Sequence, residues 1–453
     1  MSDQTIDCTF ELYDSFTTVN TVDPSYYERF DVKRGLRNAD GTGVLAGVTN
    51  ISNVHGYVIS DDVKVADEGS LLYRGYELSD LIGSTDDDRR FRYEEIAYLL
   101  LLGHLPTQDQ LDSFIAVIDS QRDLPDGFTT SMILRDTPDN IMNTLQRTIV
   151  SLYAHDPEAE SREFEHEIST AISLISRLPR IMVFSYYAKE SRFNNGSMIM
   201  HPFIPGQSTA ETILSMLRPD RQFTPEEARM LDIMLCIHAE HGGGNNSTFT
   251  TRVLTSADTD PYSTYAAAIG SLKGSRHGGA NHKIRAMHAE AKREIADWDN
   301  DDEIVDYLTR VVNKEAFDRT GLIYGMGHAV YTKSDPRAVT LKRFARELAE
   351  GSEFEREFRL LESIERLSPA VLRDVKGTKK DMCANVDMYS GLVYAMLGIP
   401  EDMFTPLFAC ARMAGWAAHR FEEIVSGRRI MRPAYKATFR SREAAEYRPI
   451  DER

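Results

Sequence analysis

The chain has 453 residues, enough for two domains or one large domain with an appendage, and hence for a sizeable core. Its 52 Lys and Arg against 70 Asp and Glu give a net charge of −18. That balance argues against nucleic acid or an anionic membrane as the main partner, and any anionic ligand must be held by local cations.

The N-terminus, MSDQTIDCTFELYDSF, is acidic and has neither a basic flank nor an apolar h-region, so no secretory signal or Arg-rich transit peptide is visible. Cys8, Cys236, Cys383 and Cys410 are far apart and form no CxxC pair, which points to reduced thiols rather than a disulfide framework or zinc ribbon. No apolar run approaches the roughly 20 residues of a membrane span. A soluble, cytoplasmic protein is expected.

Residues 43–76 hold the β-prone stretches VLAGVTNIS, GYVIS and SLLYRGY, separated by Gly, Asn and Asp, and predict a small sheet or set of hairpins. From about residue 77 the pattern is helical. FRYEEIAYLLLLGHLP carries stop signals at Gly103 and Pro106. TPEEARMLDIMLCIHAEH opens with a capping box, Thr224 with Glu227, and has Pro225 at the first helical position. Leu231, Met234, Leu235 and His238 recur at i, i+3, i+4 and i+7, so His238 is read as a core histidine with a polar partner. DWDNDDE at 297–303 lacks the Gly at position six and the Glu at position twelve of a calcium loop and reads as a solvated loop.

Chemistry concentrates in four stretches. GSLKGSRHGGAN places His277 in a Gly-bounded loop between a helix ending at Gly274 and an amphipathic helix carrying Ile284, Met287, Ala291 and Ile295. A histidine just ahead of a helix N-terminus is biased toward neutral imidazole, able to donate a hydrogen bond to a developing oxyanion. GLIYGMGHAVYTKSDPR lacks both the P-loop pattern and the third glycine of a dinucleotide fingerprint. Its glycines allow close approach of the main chain to a ligand, leaving free N–H and C=O groups beside His328. Arg337 follows nine residues on, after Pro336, which can start the next helix; alone, the stretch would read as a turn with a surface histidine. NVDMYSG begins a helix with Asp387 in its first turn, where simple dipole complementation is the competing explanation. FACARMAGW sets Arg412 in a small, apolar helix, where an unpaired charge is costly and an anion is wanted. His238 and His241 could share a helix face, but HExxH is missing, so metal hydrolysis is disfavoured. The set points to acid/base chemistry on an anionic carbonyl compound.

HAEHGGGNNST, LKGSRHGGAN, GMGHAVYTKSDPR, NVDMYSG, FACARMAGW and RIMRPAYK, in this order, resemble the citrate synthase family over roughly residues 65–437. The resemblance implies a mainly α, two-domain helical fold with a small N-terminal β element, working as a homodimer on oxaloacetate and acetyl-CoA, with no tightly bound cofactor and no metal. Carried over by motif, Asp387 is the base toward the acetyl methyl, His277 stabilises the enol or enolate, and His328 donates to the oxaloacetate carbonyl. His241, Arg337 and Arg412 bind the substrate carboxylates, and Arg432 reaches in from the neighbouring subunit. Gly325 and Gly327 approach coenzyme A, and Lys333, Lys379 and Lys380 are candidate phosphate contacts. The expected organisation is an N-terminal segment at 1–64, a large domain at 65–278, a small domain at 279–390, and a return to the large domain with a C-terminal arm at 391–453. Two further readings use the same residues: 2-methylcitrate synthase acting on propionyl-CoA, and a sensor that binds an acyl-CoA or dicarboxylate without turnover. Before Asp387 the chain departs from the family in reading Cys383-Ala384-Asn385, where a Pro usually precedes the Asn.

Overall fold

The computed structural model describes residues 16–17, 19–61, 63–83, 91–378, 381–427, 429–439 and 446–452. Lys379 and Lys380 lie outside the described residues. By its contacts the chain forms two compact units, Met1–Ala46 with Arg432–Arg453, and Gly47–Met431. This is a different partition from the one expected at residues 64, 278 and 390. The first unit has a short helix, Ser25–Arg29, in which Tyr26 stacks on Phe30, and a bridge between Arg37 and Gly43. Arg432 belongs to this unit and is exposed.

The second unit is mainly α. Its one described sheet has three antiparallel strands, β1 (Ser52–Ser60), β2 (Val63–Tyr73) and β3 (Tyr76–Glu77), in the order β1-β2-β3. The sheet runs across residue 64, and VLAGVTN at 44–50 forms no strand, with Val48 89% exposed.

The helices that carry the site follow in chain order: α1 (Tyr93–Leu102), α2 (Phe164–Phe193), α3 (Pro225–His238), α4 (Asn246–Ser256), α5 (Pro261–Lys273), α6 (Ala280–Glu294), α7 (Pro336–Ala349), α8 (Asp387–Met396) and α9 (Phe404–Glu422). Their ends sit where local chemistry sets them. Gly103 closes α1 in the left-handed region, and the Thr224–Glu227 capping box opens α3. DWDNDDE leads into a helix that Asn300 caps, while Glu303 accepts the N–H groups of Ala296 and Asp297.

α9 is the centre of the core and packs on α1, α2, α3, α4 and α5. It can be surrounded because its Ala and Gly residues let backbones approach: a Cβ at Gly415 would lie 2.4 Å from the Ala239 carbonyl oxygen. α2 alone among the described helices is long and apolar enough to cross a membrane, contrary to the sequence expectation, and 72% of its apolar window is buried inside the protein. Its apolarity is that of a core helix. It also carries Glu167, fully buried and paired in two hydrogen bonds with Arg420 of α9.

Candidate active site

Five turns and helix ends converge on one site. α3 ends at His238, and the chain reverses at Gly242 (φ 88°), leaving His241 9% exposed between them. Its Nε2 is 3.3 Å from the Tyr331 hydroxyl, and its ring centroid is 5.2 Å from that of His328. His328 stacks on Tyr331 at 4.6 Å, and its Nδ1 accepts the N–H groups of Val330 and Tyr331 at 3.1 and 3.2 Å. A nitrogen that accepts two N–H bonds carries no proton, so the neutral ring holds its proton on Nε2 and is a donor there.

Arg337 starts α7 behind Asp335, the helix cap, which also holds its guanidinium through Nε at 3.1 Å and a terminal nitrogen at 2.8 Å. One edge of the fork is thus engaged by the protein itself, and the Asp335 charge keeps the guanidinium firmly protonated even though burial acts against it. Arg412 is different. It is fully buried in α9, Nε donates to the His238 carbonyl at 2.6 Å, and its two terminal nitrogens have no hydrogen-bond partner among the described residues. Burial pulls its pKa down to about 10, with Glu240 opposing that fall. Two buried, unpartnered guanidinium nitrogens are a receptor for a planar anion. Among the described residues His238 has no polar partner on either nitrogen, contrary to expectation; its ring lies 4.5 Å from Phe408, and its part is the carbonyl that Arg412 grips.

The second half of the site comes from the loop between α5 and α6 and from α8. His277 sits with Nε2 3.1 Å from the Ser247 hydroxyl oxygen, which accepts the Trp416 indole N–H at 3.1 Å. Burial first, then the Arg412 charge, pull its pKa down to about 4. The imidazole is neutral at physiological pH. The Ser247 hydroxyl also lies 2.9 Å from Asn245 Oδ1, to which it donates, so the imidazole proton sits on Nδ1, free to donate, only when that hydroxyl turns to His277.

Asp387 opens α8. Its backbone N–H donates to Asn385 Oδ1 at 3.0 Å, and the Asn281 side chain hydrogen-bonds its carboxyl. Burial pushes its pKa up to about 6, against the pull of Arg337. Such a carboxyl is a stronger base than a solvated aspartate and is still mostly ionised at pH 7.

The glycines of the His328 stretch do something other than expected. Gly325 and Gly327 have φ of 89° and 90°, but their backbone groups are not left free. The Gly327 N–H donates to the Cys383 carbonyl at 2.7 Å, the Asn385 N–H to the Gly325 carbonyl at 2.8 Å, and Asn385 Nδ2 to the Gly327 carbonyl at 3.0 Å. A Cβ at Gly325 would sit 2.9 Å from the Met388 methyl. They let the His328 loop dock against the residues that lead into Asp387. Lys333 lines a neighbouring cavity of about 370 Å³ with Thr332, Arg373, Thr378, Asp381 and Met382.

The structure therefore brings His241, His277, His328, Arg337, Arg412 and Asp387 into one electrostatically coupled cluster. Sequence reasoning missed the residues that hold them: Tyr331, Asp335, Ser247, Trp416, Asn281 and Asn385. Asp335 was open to discovery as a helix cap next to Pro336. Ser247, Trp416 and Asn281 have no local pattern, because their partners are distant in sequence, whereas Asn385 and Tyr331 lie within three residues of Asp387 and His328.

A family model described as citrate synthase, C-terminal domain, matches residues 38–434. The chain is 32% identical over 429 residues to citrate synthase of Haloferax volcanii, covering 93% of this chain and 99% of that one. It is 31% identical over 431 residues to 2-methylcitrate synthase 2 of Corynebacterium glutamicum, covering 93% and 98%. The crystal structure of citrate synthase from Pyrobaculum aerophilum superposes with a TM-score of 0.72 at 30% identity, over 90% of this chain and 94% of that one. The chain belongs to the citrate synthase family.

Proposed function

We propose that the protein condenses acetyl-CoA with oxaloacetate and water, releasing citrate and CoA. The observation that carries this reading is Arg412: a buried guanidinium with two unpartnered nitrogens, next to Arg337 and between a base raised to about 6 and two neutral histidines. A thioester methyl is a very weak acid, so a carboxylate cannot generate a free carbanion from it; base and oxyanion donor must act together. Asp387 takes the methyl proton while His277 donates to the thioester oxygen. The enol carbon attacks the oxaloacetate carbonyl, whose oxygen receives a hydrogen bond and then the proton from His328 Nε2. Arg412, Arg337 and His241 hold the carboxylates, and planar guanidinium forks do so in two-point fashion. Water then cleaves the citryl thioester.

In this reading the working unit is a cytoplasmic homodimer, with Arg432 supplied by the partner, and Lys333 at the cavity edge meets CoA phosphate. The relative named 2-methylcitrate synthase makes propionyl-CoA the alternative acyl donor. One added methyl is discriminated by only about 1–3 kcal/mol, so a few pocket contacts decide it. The test is CoA thiol release by the purified protein given oxaloacetate with either thioester and no added metal. Release that requires oxaloacetate and favours acetyl-CoA supports the proposal; a preference for propionyl-CoA moves the assignment to 2-methylcitrate synthase. No release with either leaves a binding protein.

A further inference from the structure

The β1–β2 hairpin is far in sequence from every proposed substrate group, yet it touches the stretches that carry two of them. At its base, the Ser52 hydroxyl donates to Glu240 Oε1 at 2.8 Å and the Tyr73 hydroxyl to the Glu240 carbonyl at 2.9 Å. Val54 packs on Gly242, where a Cβ would come within 3.0 Å of it. Those contacts grip the residues on either side of His241. Glu240 is itself firmly set: despite full burial, its carboxyl is held down to about 2 by His419 and Arg412, and Oε1 also takes the Gly242 N–H at 2.6 Å.

Further along, the hairpin meets the segment between His328 and Arg337. Thr332 Oγ1 donates to the Gly56 carbonyl at 2.5 Å, and the Gly69 N–H donates to Ser334 Oγ at 3.0 Å. Contact here is backbone on backbone. A Cβ at Gly56 would lie 2.7 Å from Tyr331 Cα, and one at Gly69 would lie 2.1 Å from the Ser334 carbonyl oxygen. The irregularity in the β1–β2 register falls between His55 and Tyr57, at this crossing.

We infer that the hairpin is a strap that fixes the spacing between His241 and the His328–Arg337 segment, with Ser52 and Thr332 as its two positioning residues. Ser52 acts through Glu240, and Thr332 through the Gly56 carbonyl. This rests on the reading that those groups bind the dicarboxylate. Two loops that share one small ligand must be held to a fraction of an ångström, and a strap spanning both removes their relative freedom before the ligand arrives. His277 and Asp387, on the thioester side, are carried by the α5–α6 loop and α8, so loosening the strap at its Ser52–Glu240 end acts on the dicarboxylate and spares the thioester.

The test uses Ser52→Ala, Thr332→Val and Thr332→Ser in the full chain. For each, KM is measured for oxaloacetate and for the acyl-CoA, oxaloacetate Kd is measured by calorimetry, and folding is checked by circular dichroism. The strap predicts that Ser52→Ala and Thr332→Val each raise oxaloacetate KM and Kd by about fivefold or more, that Ser52→Ala, remote from the Lys333 cavity, leaves acyl-CoA KM within about twofold, and that Thr332→Ser restores the wild-type values. Unchanged oxaloacetate Kd in the folded variants overturns it, as does an equal rise in both KM values for Ser52→Ala. If Thr332→Val does not fold, Ser52→Ala decides by the same criterion. A wild-type protein that binds no oxaloacetate overturns the dicarboxylate reading and the strap with it, whereas wild-type binding with unaffected variants overturns the strap alone.

Discussion

Asp387 combines two properties that pull against each other. Burial raises its pKa to about 6, which makes it a better base and also makes its charged form unwelcome in the fold. For activity, the base works only when ionised, so kcat/KM is expected to fall as pH drops through about 6; His277, held near 4, stays neutral across that limb. Asp387→Asn is expected to lower kcat by about 10²–10⁴-fold. For stability, the folded pKa lies above the usual 3.8, so the folded chain binds the proton more tightly than the unfolded one. That contribution is full below about 4 and is lost as pH rises through about 6, by up to about 3 kcal/mol. Asp387→Asn is therefore expected to melt higher than wild type at pH 8, with the gain shrinking toward pH 4, as thermal unfolding at several pH values would show. A variant that melts lower at pH 8 would contradict the burial cost assigned to this carboxyl.

The element scale is where the glycines act. Gly325 needs its left-handed backbone and has Met388 against it, so Gly325→Ala adds backbone strain of about 1–2 kcal/mol to a steric overlap. Because the same contact docks the His328 loop onto the start of α8, the variant is expected to lose both melting temperature and kcat. Calorimetry and steady-state kinetics on one preparation would check the pair, and Gly351→Ala, at φ 71° with open space around it, serves as the control that loses stability alone. At this scale much was legible. The helix starts at Thr224 and Pro336 and the stop at Gly103 follow from short-range chemistry, and all three lie where their residues predict. The pairing of Gly325 and Gly327 with Cys383–Asn385 was not legible, since residues some 58 apart give no common pattern, as in the Asn385–Gly327 bond. A glycine that serves a ligand and one that serves a neighbouring loop read alike.

Across the whole molecule, buried charges join distant elements. Arg420 of α9 makes two bonds to Glu167 of α2 and one to Thr264, all buried, and a further, part-buried bond to the Thr259 carbonyl. Arg420→Met leaves the Glu167 carboxylate buried and uncompensated, with an expected loss of about 3–5 kcal/mol by denaturant unfolding. The double variant Arg420→Met with Glu167→Leu should recover most of it. The proposed shared site makes a prediction on subunits. Arg432→Ala and Asp387→Ala proteins, each inactive alone, should regain part of the activity when refolded together, because one site of each hybrid pair then holds both side chains. Absence of recovery in verified hybrids would mean that Arg432 does not reach into the partner's site.

The sequence by itself determined the helical class and several helix ends and pointed to His277, His328, Arg337, Arg412 and Asp387, because periodicity, caps and polar residues in apolar surroundings are local properties of the chain; His241 was singled out by the family resemblance alone. Arg412 signals a need for an anion through nothing more than its apolar neighbours along the helix. Only the tertiary structure decided which groups are free and which are already paired: Arg337 is held by Asp335, the His328 proton is placed by two backbone N–H groups, and the glycines face a neighbouring loop. Protonation and hydrogen-bond partnership depend on burial and on the exact placing of neighbouring groups, whether near or far in sequence, and those are set by packing.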